Sequence, residues 1–236
     1  MKSAKKNKVG FIGLGIMGKP MVINLINNDI EVYFYARKKR IIDEMSKIGG
    51  KFIPNPGDIS KFTKIILTNL PNTKDVENII IGKNGIINSL QTGSIVIDMS
   101  TISPEGTRYI NDKLRARKSY LVDAPVSGGE AGAKSGKLSI MVGGDKSAYL
   151  KIKFILSILG SKITYLGKSG SGQVCKACNQ ILVAQTIQSI SEIITIAKKS
   201  DINPMIIRAV SYTHLRAHET PEHRGLRHLR AKKKGG

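Results

Sequence analysis

The feature that most constrains the fold is a glycine-rich segment near the N-terminus. Residues 9–18 read V-G-F-I-G-L-G-I-M-G, a short apolar strand pattern that runs into G-x-G-x-x-G and then into a helical pattern ending near Asn27. In such a turn the first glycine permits a tight bend, the second lets the backbone approach a ligand, and the third lets helix and strand pack closely. The segment therefore predicts the opening strand–turn–helix unit of an α/β fold.

Short apolar strands alternate with helical segments along most of the remaining chain. The predicted strands are residues 9–13, 31–36, 64–68, 94–98, 120–123, 138–142 and 163–166. Strands that alternate with helices imply right-handed crossovers and a mostly parallel sheet. We therefore predict a Rossmann-type doubly wound parallel sheet.

The pattern changes after residue 172. Residues 173 to about 199 predict one long, mainly apolar helix, and a helix that is apolar nearly all round is expected to be buried between other elements. We predict three regions: a dinucleotide-binding domain over 1–169, an interdomain helix opening a truncated all-α second domain over 170–210, and a basic tail over 211–236. That tail has no helical or strand periodicity, so we expect it to be non-native and disordered; a basic arm for nucleic acid is the alternative.

Composition excludes several classes of chemistry. The four histidines all lie beyond residue 210, so residues 1–210 hold no histidine-based zinc site, catalytic triad or histidine general base. Two cysteines cannot form a disulfide framework, and Cys175 and Cys178 alone cannot gather four zinc ligands, which favours core packing and no metal. No continuous apolar run reaches membrane length and no secretory signal pattern opens the chain, so we expect a cytoplasmic protein.

The strand–turn–helix context of the glycines predicts dinucleotide binding, with phosphates at the helix N-terminus. The predicted pyrophosphate-binding residues are Gly13, Leu14, Gly15, Ile16, Met17 and Gly18. The second strand ends in Y-A-R-K-K-R, without the acid that binds the ribose hydroxyls of NAD. Ala36, Arg37 and Lys38 are instead placed for a 2′-phosphate. This favours NADP as the cofactor and leaves NAD as the alternative.

Four further motifs follow the glycine turn in a distinctive order. They are L-P-N at 70–72, D-M-S-T-I-S-P at 98–104, D-A-P-V-S-G-G at 123–129 and G-Q-V-C-K-A-C-N-Q at 172–180. Together, over about residues 8–210, the chain resembles the β-hydroxyacid dehydrogenases. The resemblance implies hydride transfer between a nicotinamide and a short 3-hydroxy or 3-oxo acid. The K-x-x-N-Q form favours the 2-hydroxy-3-oxopropionate (tartronate semialdehyde) reductases over the 3-hydroxyisobutyrate dehydrogenases, which remain the alternative.

The resemblance also implies roles for individual residues. Lys176 takes the place of the family's catalytic lysine, and a lysine desolvated in a cleft has a pKa low enough to act as acid and base. Its neighbours are small or apolar, which argues against a merely solvated position. The cofactor side would include Leu70, Pro71 and Thr101, and the substrate side Ser127, Gly128, Gly129, Asn179 and Gln180.

The family continues with further helices that are missing here, where the basic tail follows Val210. We therefore expect the chain as written to bind a dinucleotide but to turn over substrate poorly. The expected partners are a small carboxylate substrate and, in the intact protein, further copies of the chain. The formal net charge is +21, and +16 of it belongs to residues 1–210, which motivates a rival from another class, a nucleic-acid-binding protein that reuses the fold. The basic residues are scattered along the sequence, which argues against that rival.

Overall fold

The computed structural model describes residues 7–207, and within this range the chain builds one nine-stranded sheet. The strands are β1 Lys8–Ile12, β2 Glu31–Tyr35, β3 Lys51–Phe52, β4 Ile65–Thr68, β5 Ile95–Asp98, β6 Tyr120–Asp123, β7 Val126–Ser127, β8 Leu138–Gly144 and β9 Gly160–Gly167. The helices are α1 Gly18–Asn27, α2 Lys39–Lys47, α3 Thr73–Ile81, α4 Pro104–Ala116, α5 Gly129–Ser135, α6 Lys146–Leu159 and α7 Ser171–Lys199.

The first six strands form a parallel sheet in the order β3-β2-β1-β4-β5-β6. Strand β8 then runs antiparallel to β6 and β7 and parallel to β9. The order reverses between β1 and β4, which is the switch point where doubly wound sheets bind ligands. The predicted Rossmann-type sheet is confirmed. The sequence pattern missed β3 and β7 because a two-residue strand carries no alternation.

Helices cover both faces of the sheet, so each face has its own core. One core joins Phe11 of β1 to Met21 and Leu25 of α1 and to Ile152 and Leu156 of α6, all buried. The other includes buried residues of β4 and of the helices α3 and α4: Ile66, Val76, Ile80, Ile110 and Leu114. Central parallel strands buried on both faces explain the continuous apolar runs in the sequence.

The chain divides into two compact units, one ending at Cys178 and the other beginning at Asn179. The first turns of α7 belong to the first unit, where Gly172, Gln173 and Lys176 are buried. In the second unit the large apolar side chains of α7 are exposed, and Leu182 is 68% accessible. Burial of this helix between other elements was expected for a complete helical domain, and without the further helices the described part of α7 in this unit exposes these apolar side chains.

Helix α7 is also long and apolar enough, by length and composition only, to cross a membrane, with a mean hydropathy of 1.2 over its most apolar 18 residues. Core helices of soluble proteins meet the same criterion. The predicted basic tail over 211–236, and the last residues of the region predicted to end at 210, lie outside the described residues.

Candidate active site

The glycine turn after β1 has the geometry that the sequence predicts. Gly13 has a φ of +103°, and a Cβ there would lie 2.1 Å from the carbonyl oxygen of Asn69. A Cβ at Gly18 would lie 2.0 Å from the carbonyl oxygen of Gly13. At Gly15, by contrast, a Cβ would meet no atom within 4 Å. The outer two glycines are thus needed for packing, while the backbone of Gly15 faces space in which a ligand can approach.

The N-terminus of α1 lacks the side chains that normally accept hydrogen bonds from the first N–H groups of a helix. Met17, at the N-cap, makes no side-chain cap, and the first turn contains no acidic residue. The first N–H groups of a helix need acceptors, and their end of the helix carries partial positive charge. The turn therefore fits a bound pyrophosphate, with Leu14 and Ile16 flanking Gly15 on the loop.

Cations follow the end of β2. Ala36 is half-buried, whereas Arg37, Lys38, Lys39 and Arg40 are exposed, and within residues 7–207 none of these four forms an ion pair. Lys38 is the N-cap of α2 and provides no side-chain cap. Cations at this end of a helix oppose its dipole, so a bound phosphate would relieve an unfavourable arrangement.

The loops after β4 and β5 are tied to each other at the carboxyl edge of the sheet. The N–H of Leu70 donates to Oγ of Ser100 (2.8 Å), and Nδ2 of Asn69 donates to the carbonyl of Met99 (3.0 Å). Pro71 and Thr101 are exposed on these loops. The two loops lie on the other side of β1 from Arg37, where a doubly wound fold binds the second half of a dinucleotide.

Two buried carboxyl groups lie beneath these loops at paired positions, Asp98 ending β5 and Asp123 ending β6. Oδ1 of Asp98 accepts hydrogen bonds from the hydroxyls of Thr68 (2.8 Å) and Ser100 (2.6 Å). Its Oδ2 is buried with no partner among the described residues. Burial raises the pKa of Asp98 to about 6. Sequence reasoning gave neither acid a role, although an acid closing an apolar strand is a visible signal.

Asp123 holds the start of α7. Its Oδ1 accepts from the N–H of Gly170 (2.9 Å) and its Oδ2 from the N–H of Gln173 (3.1 Å). Burial raises the pKa of this carboxyl, and the backbone hydrogen bonds oppose that rise. The carboxylate thus satisfies N–H groups at the helix start, the position where a negative charge is most favourable.

Lys176 lies near the start of α7 and is only 8% exposed. Burial lowers the pKa of its ammonium group below the ordinary value. One turn earlier, Gln173 is 1% exposed, and its amide contacts the loop after β5. Sequence reasoning did not single out Gln173, because nothing in the local pattern reveals partners that lie about seventy residues away.

The predicted substrate residues fall in both units. Ser127 ends β7, paired with Ser139, and Gly128 and Gly129 follow with φ values of +129° and +60°. A Cβ at Gly129 would meet no atom within 4 Å, so this backbone faces open space. Asn179 and Gln180 belong to the second unit, where Nδ2 of Asn179 donates to Oε1 of Gln180 (3.4 Å).

No group of three or more metal-ligating side chains occurs among residues 7–207. Both cysteines are thiols without a disulfide; Cys175 is half-buried and Cys178 is exposed. Core packing is therefore the wrong interpretation for Cys178.

Comparison with known proteins agrees with this geometry. The family of the NAD binding domain of 6-phosphogluconate dehydrogenase matches residues 8–167. The chain is 38% identical over 201 residues to the 2-hydroxy-3-oxopropionate reductase of Escherichia coli (strain K12), an alignment spanning 85% of this chain and 68% of that protein.

Two solved structures are similar over most of the described chain. A 3-hydroxyisobutyrate dehydrogenase from Mycobacterium tuberculosis, solved with L-serine, has a TM-score of 0.79 and 27% identity, covering 84% of this chain and 67% of its own. Psf3 in complex with NADP+ and 2-OPP has a TM-score of 0.76 and 26% identity, and the match covers 83% of this chain and 69% of that one. The chain therefore belongs to the β-hydroxyacid dehydrogenases, the family of NAD(P)-dependent oxidoreductases that includes 2-hydroxy-3-oxopropionate reductase and 3-hydroxyisobutyrate dehydrogenase.

Proposed function

We propose that this chain is an NADP-preferring reductase of a short 3-oxo acid, with 2-hydroxy-3-oxopropionate as its leading substrate and Lys176 as its acid and base. The observation that carries the proposal is a buried lysine on the helix that Asp123 and Gln173 attach to the carboxyl edge of a dinucleotide-binding sheet. Residues 1–210 contain no histidine, so another side chain must move the proton.

Lys176 holds the proton at its Nζ, gives it to the carbonyl oxygen during reduction and takes it back during oxidation. The bound nicotinamide supplies the hydride. Because burial lowers the pKa of Lys176, both its charged and neutral forms are accessible closer to neutral pH than for a surface lysine. One group can therefore serve both directions of the reaction.

We propose that the substrate carboxylate lies against Ser127, Gly128 and Gly129. Successive N–H groups on a loop with left-handed residues can bind an anion by donating hydrogen bonds to it, and the hydroxyl of Ser127 adds a further donor. Asn179 and Gln180 follow Lys176 on the same helix and are proposed as further substrate residues. The 3-hydroxyisobutyrate dehydrogenases among the similar proteins supply the alternative substrate.

We propose that the cofactor lies along the glycine turn, with Gly13 to Gly18 at the pyrophosphate and Ala36, Arg37 and Lys38 at the 2′-phosphate of the adenosine ribose. Leu70, Pro71 and Thr101 would then face the nicotinamide half. On this proposal residues 1–169 are the dinucleotide-binding domain, and α7 opens a helical domain that begins at about residue 170.

A substrate panel tests the proposed activity. Reduction of 2-hydroxy-3-oxopropionate and oxidation of 3-hydroxyisobutyrate are followed by nicotinamide absorbance, each with NADP(H) and NAD(H). We expect the highest kcat/KM for 2-hydroxy-3-oxopropionate with NADPH. A higher value for 3-hydroxyisobutyrate with NAD+ would establish the alternative, and binding of neither dinucleotide would refute the proposal.

Arg37→Ala tests the choice of cofactor. Loss of a hydrogen bond to a charged phosphate should weaken NADPH binding by about 1.5–3 kcal/mol, roughly 10–150-fold, and leave NADH binding nearly unchanged. Arg40→Ala removes the same charge from the same surface and serves as the matched control. Titration of both dinucleotides by fluorescence measures the difference, and equal losses for NADPH and NADH would show that Arg37 does not bind the 2′-phosphate.

A further inference from the structure

We propose that Gln173 is a positioning residue that holds the loop after β5, and with it Thr101, in a fixed place relative to Lys176. The inference rests on the proposed function, because it assigns the loop to the nicotinamide and Lys176 to the proton. It gives a role to a residue that the motif at 172–180 contains but to which neither the resemblance nor the proposed reaction assigns one.

The side chain of Gln173 bridges the two peptide groups on either side of Thr101. Its Nε2 donates to the carbonyl of Ser100 (2.9 Å), and its Oε1 accepts from the N–H of Ile102 (3.2 Å). The side chain is 1% exposed, so both hydrogen bonds are shielded from water. A primary amide that pairs with one donor and one acceptor of the same loop fixes the distance between that loop and α7 as well as the orientation of the loop.

The backbone of Gln173 is held just as firmly. Its N–H donates to Oδ2 of Asp123, and a Cβ at Gly143 or Gly172 would lie 2.7 or 2.8 Å from that carboxylate. Only glycine leaves room for the carboxylate at these two places. The start of α7 is therefore attached to the end of β6, and Lys176 follows Gln173 by three residues, on the same side of the helix.

The loop after β5 is in turn connected to the loop after β4. Oγ of Ser100 accepts from the N–H of Leu70 and donates to Asp98. Gln173 thus hydrogen-bonds α7 directly to the loop after β5, and through Ser100 this connection extends to the loop after β4. Removing its amide should loosen the loop after β5 first, and the substitution changes no residue of the glycine turn and leaves Arg37 in place.

A binding experiment separates positioning from plain stability and needs no turnover. Gln173→Met removes both hydrogen bonds and keeps a side chain of similar length. We expect the affinity for NADP+ to fall about 5–30-fold, the consequence of losing two hydrogen bonds that order the loop. The affinity for 2′-phospho-ADP-ribose, which lacks the nicotinamide, should stay within about twofold of wild type because its contacts are elsewhere.

Gln91→Met is the matched control. Nε2 of Gln91 donates to the carbonyl of Ser60 (3.1 Å), 31 residues away in the chain, and the residue lies before the start of β5 at the opposite edge of the sheet. The Gln91→Met variant should leave the affinities for NADP+ and for 2′-phospho-ADP-ribose unchanged, whatever its effect on Tm. Equal losses for the two ligands in Gln173→Met, or no loss for either, would overturn the proposal.

A double-mutant cycle tests the connection to Lys176. Gln173→Met should lower kcat about 10–100-fold in wild type but less than about threefold when Lys176 is already alanine, because the two residues then act as one unit. Additive losses would mean that Gln173 does not act through Lys176. If Lys176→Ala alone leaves kcat unchanged, the proposed function fails, and the binding experiment still judges whether Gln173 orders the nicotinamide loop.

Gln173→Asn keeps the test valid if the methionine variant does not fold. It keeps a neutral amide but is one methylene shorter, so it cannot reach the carbonyl of Ser100 and the N–H of Ile102 together. We expect the same selective loss of NADP+ affinity relative to 2′-phospho-ADP-ribose. Unchanged affinity for both ligands in this variant would contradict the bridge.

Discussion

Lys176→Ala is expected to lower kcat by about 10²–10⁴-fold, the usual effect of removing a general acid and base. The buried ammonium group of Lys176 is the proposed proton donor to the substrate, so its loss raises the barrier of the chemical step. The affinity for NADP+ should remain within about twofold, because the glycine turn and Arg37 are unchanged. Steady-state kinetics of the reduction, with a separate titration of NADP+, measure the two quantities.

Lys198→Ala is the control for this variant, since Lys198 is an exposed lysine in the last turn of the same helix. It should turn over at the wild-type rate. A Lys176→Ala protein with kcat within a factor of two of wild type would exclude the proposed role. The pH profile adds an independent check: reduction should slow as the pH rises through the lowered pKa of Lys176, and the alanine variant should lack that limb.

Asp98→Asn is expected to stabilise the protein at pH 8 by about 2–3 kcal/mol. Burial raises the pKa of Asp98 from 3.8 to about 6, so the folded protein has to ionise a carboxyl group that the unfolded chain ionises more easily. A shift of this size corresponds to about 3 kcal/mol. Asparagine keeps an acceptor for Thr68 and Ser100 and removes the buried charge.

The stabilisation should depend on pH in a definite direction. Between pH 3.8 and about 6 the folded protein binds more protons at Asp98 than the unfolded chain, so this residue makes stability fall as the pH rises. The advantage of Asp98→Asn should therefore vanish below about pH 4 and reach its full size above about pH 7. Urea unfolding at several pH values measures it.

Asp43→Asn removes one exposed carboxyl group from α2 and controls for the loss of a surface charge. It should change stability little at any pH. An Asp98→Asn protein that is less stable than wild type at pH 8, or whose stability difference does not change with pH, would contradict the assignment of a buried carboxyl group with a raised pKa.

Local pattern was enough to identify the fold. Glycine spacing between a strand and a helix predicted the turn at Gly13–Gly18, and the predicted strand at 120–123 coincides with β6. Such features depend on periods of two and 3.6 residues and on the steric needs of glycine, which a short segment carries by itself. The small and apolar neighbours of Lys176 likewise indicated that it is buried, and it is.

The tertiary structure alone decided which polar groups meet. Asp98 and Asp123 are adjacent because β5 and β6 pair in that register, and the amide of Gln173 reaches Ser100 and Ile102 across more than seventy residues of chain. Strand register and helix docking arise from the sum of many apolar contacts, so no local pattern specifies a hydrogen bond between distant segments. The sequence by itself therefore determined the strands, the glycine turn and the kinds of side chain available at the site. The connection between Lys176 and the loop that carries Thr101 exists only once the start of α7 packs on the sheet.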